Sequence, residues 1–163
     1  GLTDSKVSDV QAGYEKGITG LAAALAGANY IHHSAGFLES MLTVSYAQYV
    51  IDDDINGSIM RAVRGIEVTD ETLSVDLIDQ VCREEGNYLG ASQTLQLMKT
   101  EYYYPHTADR QGRASWEAEG AVDMAEKARR KAEEIVETHK PEPISQDIDA
   151  AIRERFKILL PSA

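Results

Sequence analysis

Between two long helical patterns lies the stretch Gly27-Ala28-Asn29-Tyr30-Ile31-His32-His33-Ser34-Ala35-Gly36-Phe37-Leu38-Glu39. It reads as one short strand, about Asn29 to His32, running into a loop that carries imidazole, hydroxyl and carboxylate groups. A lone strand cannot satisfy its own backbone amides and carbonyls; it needs neighbours in a sheet. No convincing partner strand occurs elsewhere in the sequence. The expectation is therefore a piece of a larger α/β fold, cut near an active-site edge. Length agrees, since 163 residues suit one domain with a real core, whereas a complete eight-stranded α/β barrel needs about 200 or more. The first residue is Gly1 rather than Met, which points to a truncated or processed start.

Around this stretch the pattern is helical. Ser8 with Gln11 forms a capping-box sequence. Val7, Val10, Tyr14, Ile18, Leu21 and Leu25 then recur at three- and four-residue steps, as in an amphipathic helix. Gly13, Gly17 and Gly20 share another of its faces, where a close backbone approach would offset their cost. Ser45 with Gln48 opens a second helix, marked by Val44, Ala47, Ile51, Ile55, Ala62 and Ile66 and ended near Gly65. Thr69 caps a third, expected to run to about Glu85, and Ser92 to Lys99 is a further short helix. Beyond Pro105, a charged helix from about Ala114 to Thr138 offers the pairs Asp123–Lys127 and Glu126–Arg130. After Pro141 and Pro143 a last helix covers roughly Gln146 to Leu159.

Charge narrows the partners. The formal net charge is −11, from 16 Lys plus Arg against 27 Asp plus Glu. Such a surface repels phosphate backbones, so no nucleic-acid partner is expected. No apolar run approaches the ~20 residues of a membrane span, so no membrane partner is expected either. One cysteine, Cys82, rules out an internal disulfide and a thiolate cage for zinc, and it fits a reducing compartment. It reads as a packed thiol.

Few constellations could carry chemistry. On a strand, neighbouring side chains such as His32 and His33 point to opposite faces, so at most one faces a given pocket. A structural histidine beside an exposed one is the ordinary alternative, but the C-terminal end of a strand is where α/β barrels keep their catalytic groups. Glu39 could accept a hydrogen bond from substrate or hold His33 in one tautomer, or serve as a plain first-turn acid. Asp52, Asp54, Asn56 and Gly57 imitate the opening of a calcium loop, but Val63 stands where the closing glutamate belongs. No metal-ligating set is expected. The tyrosines matter chiefly because aromatic faces attract quaternary ammonium groups.

The opening Gly-Leu-Thr-Asp-Ser-Lys-Val-Ser-Asp-x-Gln-Ala-Gly-Tyr-Glu-Lys resembles the C-terminal third of the trimethylamine methyltransferase family. The similarity continues through residues 24–29, 35–39 and 50–55, then Asn87-Tyr88-Leu89, Gln93-Thr94 and the Trp116 region. The resemblance implies a mainly α fold: a C-terminal fragment of a (β/α)8 barrel with one short strand and a helical tail. Residues 1–106 would be the terminal part of the barrel domain and residues 107–163 a C-terminal helical extension.

It also implies an activity, namely transfer of a methyl group from a methylated amine to the Co(I) of a separate corrinoid protein. The founding members carry pyrrolysine immediately before the Ser/Thr-Asp-x-Lys segment, and here that position is Leu2. Leucine cannot bind an amine covalently. The resemblance therefore points to the non-pyrrolysine branch and a quaternary amine, whose leaving group is a neutral tertiary amine. His33 and Glu39 are the expected catalytic residues, and Leu2, His33 and Phe37 the expected substrate-binding ones. One extra residue between Asn29 and Ser34, relative to the pyrrolysine members, blurs the match of His33 to a pocket aromatic. The chain lacks the Asp-x-His-x-x-Gly signature of a corrinoid protein, since Ile31 stands two before His33. The cobalamin is thus expected on a partner, with none bound by this chain. The reading is completed by cytoplasmic localisation, a homo-oligomer, and inactivity of the fragment alone. The rival reading is a non-catalytic helical interaction or dimerisation module.

Overall fold

The computed structural model describes residues 1–84 and 86–160. Its helices start where a side chain can take a free amide. Helix α1 (Val10–Leu25) begins at Asp9, whose Oδ1 accepts from Ala12 N at 3.0 Å. The cap lies one residue beyond the expected Ser8 because the same oxygen also receives Ser5 Oγ at 2.8 Å. Helix α2 (Tyr46–Arg64) is capped by Ser45, which accepts from Gln48 N at 3.2 Å. Thr69 and Thr72 form a reciprocal capping box at the start of α3 (Asp70–Leu73).

The strand expected over Asn29 to His32 is not formed. Residues 28–35 are bend, turn and coil, and among the described residues no backbone–backbone hydrogen bond begins or ends on 29–35. The cause is physical: a ladder needs a neighbouring strand, and this stretch has none beside it. In place of one short strand there is a two-residue hairpin further on. Strand β1 (Phe37–Leu38) pairs antiparallel with β2 (Thr43–Val44), placing Phe37 opposite Val44 and Leu38 opposite Thr43. A 3-10 turn, Glu39–Met41, joins them.

Two more expected helices are broken. The one after Thr69 is split by Ser74, at φ +56°, into α3 and α4 (Val75–Arg83); its expected end at Glu85 lies outside the described residues. The charged helix is split at Gly120 and Ala121, both at positive φ, into α6 (Arg113–Ala118) and α7 (Met124–Thr138). In α7 the expected Glu126–Arg130 pair forms at 2.7 Å. Lys127 instead reaches Asp109 at 2.5 Å, leaving Asp123 to accept from Glu126 N. Helix α5 (Ser92–Thr100) is tied back to the end of α2, with Glu101 salt-bridged to Arg61 at 2.7 Å and to Arg64 at 3.0 Å.

The chain divides into two compact units, Gly1–Ala132 and Glu133–Ala163. Residues 107–132 therefore lie in the first unit, on the same side as residues 1–106. The second unit contains α8 (Gln146–Arg155), which ends four residues before the expected Leu159, and its Asp149–Arg153 pair at 2.8 Å.

In the first unit α1 packs on α2 through the stripe Ala12, Lys16, Gly20, spaced by four, against a face of α2 that includes Ile51, Asp52 and Ile59. Gly20 permits the approach, since a Cβ there would lie 2.9 Å from Ile59 Cδ1. The opposite holds for the apolar repeat of α1. Val10 is 84% exposed and Ile18 65% exposed, so the side that looks like a core from the sequence is uncovered. Cys82, expected to be packed, is also exposed. The chain as a whole exposes 12429 Å², where a folded protein of 17.9 kDa exposes about 8,000 Å².

Candidate active site

The N-terminal segment and the loop after Asn29 are knitted together. Ser40 N donates to Thr3 O and Glu39 N to Ser5 O, each at 2.9 Å. Glu15 holds the same segment from α1, accepting Thr3 Oγ1 at 2.6 Å and Asp4 N at 2.9 Å. These donors, Thr3 first, keep its carboxyl below the ordinary glutamate range. At the start of the segment, Gly1 lies so close to Ser34 that a Cβ would be 2.9 Å from Ser34 Cα. Leu2 is therefore flanked by two residues, Gly1 and Thr3, that both touch the loop, and it is half-buried.

His33 sits in a turn at φ +53°. Its ring meets Phe37 edge to face at 4.7 Å and lies 3.6 Å from the ring of His32, which in turn is 5.7 Å from Tyr30. The expectation that the two histidines face apart is thus overturned. It presumed a pleated strand, and in a turn the alternation does not apply. Glu39 is half-buried at φ +49°, and its carboxylate accepts Thr43 Oγ1 at 2.5 Å across the hairpin. Among the described residues no hydrogen bond joins it to His33. The structure therefore joins His33 to Phe37, sets Gly1, the neighbour of Leu2, against Ser34 in the same loop, and directs Glu39 to the hairpin.

Beneath this neighbourhood lies a node absent from the sequence reading. Lys16 and Asp52 form an ion pair at 2.8 Å, with side chains 1% and 0% exposed. Asp52 Oδ2 also accepts Gly36 N at 2.7 Å, while Oδ1 accepts Gln48 Nε2 at 2.8 Å. Lys16 Nζ donates in addition to Gly1 O at 3.3 Å. The signal was present: a carboxylate beside Ile51 on the apolar face of a helix requires a buried partner.

With this geometry in place, the comparisons decide the family. A family model described as trimethylamine methyltransferase matches residues 1–157. The chain belongs to the trimethylamine methyltransferase family. It is 42% identical over 153 residues to the trimethylamine methyltransferase of Desulfitobacterium hafniense, covering 94% of this chain and 30% of that protein. With the enzyme of that name from Methanosarcina thermophila it shares 42% over 149 residues, 90% of this chain and 30% of the other. With a glycine betaine methyltransferase of Desulfitobacterium hafniense it shares 31% over 153 residues, 94% of this chain and 32% of the other. The chain spans about three tenths of the length of the curated relatives it matches.

In this family member the would-be calcium acids are both accounted for by packing. Asp54, two residues after Asp52, accepts Tyr103 OH at 3.1 Å, His106 N and Thr107 N at 2.7 Å each, and the Thr107 hydroxyl. Burial pushes its carboxyl up, but the hydrogen bonds from Thr107, His106 and Tyr103 outweigh it and hold it below the ordinary aspartate range. Tyr103 is pushed up to about 12, by burial first and then by Asp54. Among the described residues no group of three or more His, Cys, Asp or Glu side chains is placed to hold a metal ion, and no helix is long and apolar enough to cross a membrane. A groove of about 660 Å³ beside Asp54, lined by Tyr14, Ile51, Pro105 and Met124 among others, includes none of Leu2, His33, Phe37 or Glu39.

Proposed function

We propose that this chain is the C-terminal part of a methyltransferase that moves a methyl group from a quaternary amine to a reduced corrinoid held by a separate protein. The observation that supports the reading is the packing of Gly1, the residue before Leu2, against Ser34, the residue after His33, whose ring meets that of Phe37. Leu2 stands in the position the pyrrolysine members fill differently. Aromatic faces attract a desolvated quaternary ammonium by about 0.5–2 kcal/mol each. The chain would act by orientation. Its rings would hold the cation, its apolar residues would keep water out, and the methyl carbon would be presented for in-line displacement. The C–N electron pair stays on nitrogen, and the amine leaves neutral, so no general acid is required at Leu2. Higher identity to the trimethylamine enzymes than to the betaine enzyme does not weigh against this, because the chemistry turns on the single residue at position 2.

The barrel-fragment reading is supported by the uncovered apolar stripe of α1 and the surplus surface, which suit helices packed against barrel strands outside this chain. On the same ground the piece alone would be inactive. A reduced corrinoid acceptor would place the enzyme in a reducing compartment, which we take to be the cytoplasm. A second reading, a helical module that pairs with another copy, is favoured by the same stripe.

The test is methyl transfer by the full-length protein. Turnover of glycine betaine-like quaternary amines with added Co(I) corrinoid is expected, with little turnover of trimethylamine. His33→Ala should lower the rate by about a hundredfold, the usual cost of losing an orienting group. Transfer from trimethylamine alone would reverse the substrate assignment. Absence of any transfer, together with dimers of the 163-residue chain by light scattering, would favour the helical module.

A further inference from the structure

We infer that the buried Lys16–Asp52 pair is the positioning element of this site, setting the spacing between the N-terminal segment at Gly1 and the loop that carries the His33–Phe37 rings. The inference rests on the methyl-transfer reading above and deepens it. Neither side chain touches the proposed substrate; both act through backbone. Lys16 Nζ holds the carbonyl of Gly1, the residue before Leu2. Asp52 Oδ2 holds the amide of Gly36, the residue before Phe37 and three after His33. One carboxylate oxygen therefore links both walls, with the lysine as the second half of the bridge.

Three features distinguish this from ordinary packing. First, a buried ion pair is a poor means of stabilisation, because apolar residues of similar volume do as well or better. Its retention in a core this small calls for another use. Secondly, both backbone groups belong to segments outside the helices and strands; the Gly36 carbonyl is held by Ser45 N at 2.9 Å, and the pair supplies the bond to its amide. Residues 29–35 make no backbone–backbone hydrogen bond among the described residues. Thirdly, the pair is itself oriented: Gln48 Nε2 fixes the other carboxylate oxygen, and Gly36 is pressed against the ring of Tyr49, so its amide has little freedom to turn away.

Orientation is the main thing such an enzyme supplies, and a misplacement of about 1 Å costs on the order of a hundredfold in rate. The experiment is a set of three variants in the full-length enzyme, read per folded molecule. Lys16→Met with Asp52→Leu replaces the pair by apolar side chains and is expected to fold. Its kcat should drop by about a hundredfold with KM changed less than about threefold. Amide exchange across residues 33–37 should speed by about tenfold or more, as expected when a local anchor opens. Lys16→Arg keeps the charge and the donors and should restore most of the rate. Lys16→Met alone serves as a control for the uncompensated acid.

Wild-type kcat in the double variant, or unchanged exchange across 33–37, overturns the inference. So does a loss confined to the yield of folded protein, with normal kcat in what remains. If the wild-type enzyme itself transfers no methyl group, the parent reading fails instead. The exchange measurement then decides the clamp on its own.

Discussion

Asp52 and Asp54 stand two residues apart on one helix, both buried, and they solve the same problem in opposite ways. Asp52 is matched by a full charge, Lys16, and anchors the Gly36 amide, while Lys16 holds the Gly1 carbonyl. Asp54 is matched only by neutral donors and anchors the segment Tyr103 to Thr107. A carboxylate with three or four well-placed amides and hydroxyls needs no counter-ion. One that must also position a distant carbonyl needs a donor long enough to reach it, and a lysine has that length. The comparison separates a node that folds a loop from one that spaces two walls.

The strongest way to break it is to remove half of the charged node. Lys16→Met leaves Asp52 without its counter-charge and should destabilise the first unit by about 3–5 kcal/mol, whereas the double change with Asp52→Leu should recover most of that. Urea unfolding followed by the fluorescence of Trp116 measures both. Next comes Asp54→Ala, which strands two amides and two hydroxyls and should cost about 2–3 kcal/mol. Its mark is loss of protection at Thr107, with Gly36 unaffected.

Titration sharpens the contrast further. Asp54 is held below its ordinary value of about 3.9, so its contribution is complete above that pH and is lost as pH falls through the folded value. Tyr103 is raised to about 12, so its contribution is complete below about 10 and is lost as pH climbs from about 10 to 12. Amide shifts of His106 and Thr107 should report both transitions, and the Gly36 amide should report neither. A flat profile at Thr107 would remove the neutral-donor account of Asp54. The smallest effect is expected at Val10→Ser, on the uncovered stripe. It should move the stability of this chain by less than about 0.5 kcal/mol. The same change should be clearly costly in the full-length protein if barrel strands cover that face.

Local chemistry was legible from the residues; partnership was not. Ser45 and Thr69 mark helix starts because their hydroxyls act on amides two or three residues away. The strand at Asn29 was misjudged because extended backbone becomes a strand only through a neighbour. Helix α1 shows a related limit: the close approach expected on its glycine face is made at Gly20, while its apolar side finds no cover in this chain. Its apolar repeat is real, but within this chain the helix packs through small residues and one lysine. The break at Ser74 falls on a residue whose left-handed backbone nothing nearby announces, whereas the one at Ala121 is signalled by Gly120 just before it. Of the candidate residues, His33 is marked by its place at the end of the expected strand and Phe37 by the family resemblance alone. Lys16 could not be singled out, since its partner lies 36 positions away in sequence.

Gly36 has a consequence of its own. With φ at +81° and the Tyr49 ring filling the space a side chain would take, the loop wall and the first turn of α2 behave as a single moulded surface. A side chain at position 36 would demand a smaller residue at position 49, so a change at either position constrains the other.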